Sequence, residues 1–100
     1  MEIKFLEIAQ IELDKAVEYY NSESPELGDS FLLEALNAIG LISHFPKAWH
    51  PFGNVTRRCQ LRRFPYGIIY QTLATEILIV AVANLHRKPD YWKDRIKKST

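Results

Sequence analysis

Apolar and polar positions change their rhythm three times along the chain. Residues 2–6 (EIKFL) alternate with period two, which predicts a short first strand. From about Ile8 the period becomes helical. Ala9, Leu13, Ala16, Val17 and Tyr20 recur on one face, with Glu7, Glu12, Asp14, Lys15 and Glu18 mainly elsewhere. The polar stretch 21–24 ends this helix. A second helix then opens with Ser24 as its expected cap and Pro25 in its first turn, followed by Glu26 and Asp29 near the positive end of the dipole. Its stripe runs through Leu27, Phe31, Ala35, Ala38, Ile42 and Phe45, widened by Leu32, Leu36 and Ile39. Gly40 lies inside it, where a small residue would suit a helix crossing. Pro46 ends the element. So short a link between two helices predicts an antiparallel hairpin.

The rhythm then returns to strands. Residues 44–55 carry two prolines, a glycine and Asn54 and read as a loop, with Trp49 and Phe52 expected to pin it to the core. Residues 57–64 alternate, with Cys59 and Leu61 on one face and Arg58, Gln60 and Arg62 on the other. Two uninterrupted apolar runs follow, 68–70 and 77–83, rich in β-branched and aromatic residues. Short links between the three runs predict an antiparallel meander. The 77–83 run has no polar alternation, which places it centrally with cover on both faces. Pro89 opens a last basic helical segment, residues 90–98. The expected fold is therefore α+β, a single domain over residues 1–100 in the order β-αα-βββ, with the helical hairpin on one face of the sheet.

Composition adds a polarity. Of the 100 residues 47% are hydrophobic and 25% charged, an ordinary globular balance. The net charge of +1 conceals a split: residues 1–50 hold three lysines against nine acids, and residues 51–100 ten Lys/Arg against three acids. Either the halves neutralise each other across the fold, or the basic half meets an acidic partner. Cys59 is the only cysteine, which rules out an internal disulfide and leaves a small core side chain. No basic-then-apolar leader and no run of roughly 20 apolar residues is present, so a cytoplasmic protein without membrane contact is expected.

Nucleotide-loop and zinc-protease motifs are missing, and His44, His50 and His86 lack ligand spacing; no metal or cofactor is expected. Two constellations carry candidate chemistry. Arg57, Arg58, Arg62 and Arg63 form either a charged, protected sheet edge or an anion-binding face. Residues 86–92 (HRKPDYW) follow the central strand. His86, Arg87, Lys88 and Tyr91 there offer a site for phosphate or proton transfer, or else Tyr91 and Trp92 clamp the tail to the sheet.

Four segments taken in order, AVEYY (16–20), LGDSFLLEALNAIGLISHFPKAW (27–49), RRFPYGIIYQ (62–71) and ILIVAVANLHRKPDYW (77–92), resemble the RelE/ParE superfamily of toxins from bacterial type II toxin–antitoxin operons, especially the plasmid stabilisation branch. The resemblance implies a cognate antitoxin that wraps the toxin. It also implies one of two targets. RelE-like members cut mRNA in the ribosomal A site with basic residues and a tyrosine. By that likeness Arg58 and Tyr91 would be catalytic, whereas Gln60, Gly67 and Leu85 stand where further basic residues are expected, with Arg87, two residues beyond Leu85, as the substitute for the last of them. ParE-like members bind and poison DNA gyrase without such residues. The expected function is a toxin inhibiting gyrase or a similar target, with target or anion contacts at Arg58, Arg62, Arg63, His86, Arg87 and Lys88. The alternatives are ribosome-dependent mRNA cleavage and a binding-only member that is no longer toxic.

Overall fold

The computed structural model describes residues 1–96. Its elements are β1 (Glu2–Phe5), α1 (Glu7–Glu23), α2 (Leu27–His44), β2 (Thr56–Gln60), β3 (Tyr66–Thr72), β4 (Glu76–Asn84) and a 3₁₀ turn (Lys93–Arg95). The expected β-αα-βββ order is what forms. The sheet order is β1-β4-β3-β2, with β1 parallel to β4 and the meander β2-β3-β4 antiparallel. Hence β4 is internal, and every residue from Ile77 to Ala83 is buried. Among the described residues no helix is long and apolar enough to cross a membrane.

The hairpin α1–α2 covers one face. Leu13, Ala16, Phe31, Ala35 and Ile42 pack there on Cys59, Ile68, Tyr70, Ile77, Ile79 and Val82. Phe31 sits at the centre of an edge-on aromatic group, 5.1 Å from Phe64 and 5.0 Å from Tyr66. Burial of the Cys59 thiol pushes its pKa up to about 11, which makes it an inert core group.

A second apolar cluster lies on the opposite face: Ile69, Leu78, Val80, Ala81, Ala83 and Trp92, with Phe52, Tyr91 and Ile96 against it. Ile69 pairs with Ala81 but Tyr70 with Ile79, so Val80 is an extra residue in β4. This bulge turns Val80 and Ala81 to the same side. The tail after β4 roofs that side, and Trp92 is only 4% exposed.

Five local expectations are corrected. Ser24 does not cap α2. Pro25 holds Ser24 extended at the end of α1, and Glu26 takes a left-handed conformation (φ 66°) at the start of α2. The cap comes from across the hairpin, where Asn21 Oδ1 accepts the Gly28 N–H at 2.7 Å. The helix crossing uses Gly28, not Gly40. A Cβ at Gly28 would lie 2.1 Å from the Val17 carbonyl oxygen, while Gly40 faces open space. Leu36 and Phe45 leave the buried stripe and are 50% and 60% exposed. The first strand of the meander stops at Gln60, so Arg62 and Arg63 lie in a turn rather than on a strand face. The tail forms one 3₁₀ turn in place of a helix from residue 90; residues 97 and 98 of that expectation lie outside the described residues.

Candidate functional site

Strand β1 is four residues long and β4 nine, so β1 covers only the first part of the β4 edge. The last contact is the Leu6 N–H donating to the Ile79 oxygen at 3.0 Å. Beyond it the Val80 carbonyl and the Val82 N–H face no strand, and buried backbone groups require partners. Two charged side chains supply them. Arg95 donates to the Val80 oxygen at 3.2 Å, and Glu12 on α1 accepts the Val82 N–H at 3.1 Å.

Glu12 also binds the tail. Arg95 forms a two-pronged pair with its carboxylate at 2.8 and 3.1 Å, the Tyr91 hydroxyl donates to it at 2.6 Å, and Arg87 stands 3.8 Å away. The Arg87 guanidinium lies over the Tyr91 ring, 3.7 Å from its centroid. Burial raises the Tyr91 pKa, and the hydrogen bond and negative charge of Glu12 raise it further; Arg95 and Arg87 oppose this without reversing it. Tyr91 therefore keeps its proton throughout the neutral range.

Beside this knot the face opens into a hollow of about 200 Å³, lined by Phe52, Arg58, Gln60, Asn84, Leu85, Arg87, Lys88, Tyr91 and Trp92 among others. Arg58 reaches it from β2. Its stem crosses Gly67, where an added Cβ would come within 3.0 Å of the Arg58 Cγ and Cδ. Its guanidinium lies 4.1 Å from the centroid of Phe52. Among the described residues no carboxylate comes within ion-pair distance of Arg58. The β2 edge itself is shielded by the loop before it: Phe52 donates to the Thr56 oxygen and Arg58 to the His50 oxygen.

Of the residues singled out by sequence, Arg58, Arg87, Lys88 and Tyr91 gather here, together with Gln60 and Leu85. Three do not. Glu34 on α2 accepts the N–H groups of Arg62 and Arg63 at 2.6 and 3.2 Å and pairs with the Arg63 Nε at 3.2 Å. His86 is exposed and does not line the hollow. Arg57 turns to the helix side and donates to the Trp49 oxygen at 2.6 Å.

Sequence reasoning set Glu12 on the polar side of the first helix, which the structure corrects by turning its carboxylate to Val82, Tyr91 and Arg95, and it missed Glu34 and Arg95. A signal for the two acids existed. Glu12 lies three residues after Ala9 and four before Ala16, and Glu34 three after Phe31 and four before Ala38, so each carboxylate interrupts a buried stripe.

A family model described as "ParE toxin of type II toxin-antitoxin system, parDE" matches residues 3–91. One chain of a solved structure, "Chromosomal ParDE TA system from P. aeruginosa", aligns with a TM-score of 0.69 at 16% identity, covering 86% of this chain and 97% of that one. That likeness is one of fold. No curated protein matches the chain.

Proposed function

Because this chain belongs to the ParE toxin family of type II toxin–antitoxin systems, we propose that it arrests growth by binding its target rather than by cutting RNA. The target is DNA gyrase or a similar machine, and a cognate antitoxin holds the toxin in check. The commitment of the Tyr91 hydroxyl to Glu12 carries this reading. Cleavage of RNA by its own 2′-hydroxyl needs one group to take a proton and another to return it. Around the hollow Tyr91 already donates its proton to a carboxylate, and its ionisation is pushed up. The remaining polar side chains lining it are cations, the neutral amides of Gln60 and Asn84, and the indole of Trp92, which does not titrate. Such a site attracts an anion and moves no proton.

The gathering of Arg58, Arg87 and Lys88 favours the second reading, ribosome-dependent mRNA cleavage, because clustered cations stabilise a charged phosphorane-like transition state. Induced expression with two readouts separates the readings. Gyrase poisoning gives growth arrest with an induced SOS response and intact mRNA, which is the expected result. Arrest with cleaved mRNA and undamaged DNA contradicts it. No arrest would leave a binding-only family member.

A further inference from the structure

We infer that the hollow between Arg58 and Arg87 is a single-carboxylate pocket that receives one acidic side chain from the surface of the target protein. The inference rests on the binding reading above and names the chemistry that this site recognises.

Charge is the first argument. Arg58 is half-buried, lacks a carboxylate partner among the described residues, and is held by Phe52 and by the space over Gly67. A guanidinium fixed in this way presents a two-pronged donor to a carboxylate at little entropic cost. The other two cations are partly answered already, Arg87 by Glu12 at 3.8 Å and Lys88 by Asp90 at 4.0 Å. Glu12 is shared between Arg87 and Arg95, so among these cations Arg58 is the one with no carboxylate in reach among the described residues.

Shape is the second. Ile69, Ala83, Leu85 and Trp92 line the hollow with apolar surface, which suits the methylene stem of a glutamate better than a hydrated phosphate.

The third argument is what lies next to it. Phe52 and Trp92, 5.9 Å apart, form a ridge shared with a second groove of about 700 Å³. That groove carries Val55, Ile96, Asp90 and Asp94, with Lys93 as its one cation among the described residues. A nucleic-acid strand carries a charge at every nucleotide and requires a row of cations. On this side of the hollow it would meet two carboxylates instead.

The test uses the purified full chain and three probes followed by tryptophan fluorescence: a short capped peptide with one glutamate between leucines, the same peptide with glutamine, and octathymidylate. The glutamate peptide should bind about tenfold tighter than the glutamine peptide, the effect of one charge-assisted hydrogen-bonded pair. Arg58→Gln should erase that difference while leaving the circular dichroism spectrum unchanged. Asp94→Lys should leave it intact. Equal binding of the two peptides, or no binding of either, overturns the pocket. So does octathymidylate that binds as tightly as the glutamate peptide and tighter still to Asp94→Lys. Gyrase inhibition without a glutamate preference would remove the pocket and leave the binding reading standing. A glutamate preference in a toxin that cleaves mRNA would do the reverse.

Discussion

Glu12 serves Val82, Tyr91, Arg87 and Arg95 with one carboxylate that is 14% exposed. Removing its charge leaves Arg95, 15% exposed, as a nearly buried cation without its partner. Breaking such a pair costs far more than a surface ion pair is worth. Glu12→Gln should therefore lower stability by about 3 kcal/mol, read from urea unfolding. A loss under about 0.5 kcal/mol would mean that the tail is held by Trp92 alone. Glu34 yields a pH dependence. Burial by itself would raise its pKa, but the N–H groups of Arg63 and Arg62 and the Arg63 guanidinium outweigh that and lower it from the ordinary glutamate value. A carboxyl lowered in the folded state contributes stability above its unfolded pKa and loses it as the pH falls through the folded value. Urea midpoints measured from neutral pH down to about pH 3 should thus fall more steeply for the natural protein than for Glu34→Gln. At this scale the sequence was readable where one residue had one environment, as for Cys59 and Trp92. It was not readable where a side chain answers groups 70 or more residues away, as Glu12 does for Val82 and Tyr91.

Among the elements, the uninterrupted apolar run of β4 led directly to its central place, because a strand covered on both faces tolerates no polar alternation. The bulge at Val80 left no trace in that run, since an extra apolar residue within an apolar stretch changes no pattern. Helix periodicity likewise located α2 but not which of its glycines touches α1. That depends on where the hairpin turns, which Pro25 and the left-handed Glu26 decide. The two glycines therefore make opposite predictions. Gly28→Ala drives a Cβ into the Val17 carbonyl and should destabilise by about 2 kcal/mol. Gly40→Ala fills open space in a helix interior and should stabilise by about 1 kcal/mol. Thermal unfolding of the two variants distinguishes them, and equal shifts would mean that the hairpin crosses elsewhere.

Across the whole molecule, the acidic first half and the basic second half meet at defined points. Glu12 and Glu34 on the helices together hold Arg87, Arg95 and Arg63 from the second half. Much of the basic excess is thus answered inside the fold; with Arg63 paired to Glu34 and Arg57 turned to the Trp49 oxygen, the four arginines close in sequence do not make one anion-binding face. Arg58 remains, placed in the hollow beside a tyrosine whose proton is already shared with Glu12. Attraction without proton transfer is the property that separates a toxin that binds from one that cuts. The measurement that bears on it most directly is the inducer dose for growth arrest with Tyr91→Phe and Arg58→Gln, both first shown to be folded by circular dichroism. Tyr91→Phe should stay toxic, at a cost of about 1 kcal/mol in stability from the lost hydrogen bond, and Arg58→Gln should lose toxicity. A folded Tyr91→Phe that no longer arrests growth, beside an Arg58→Gln that still does, would contradict it.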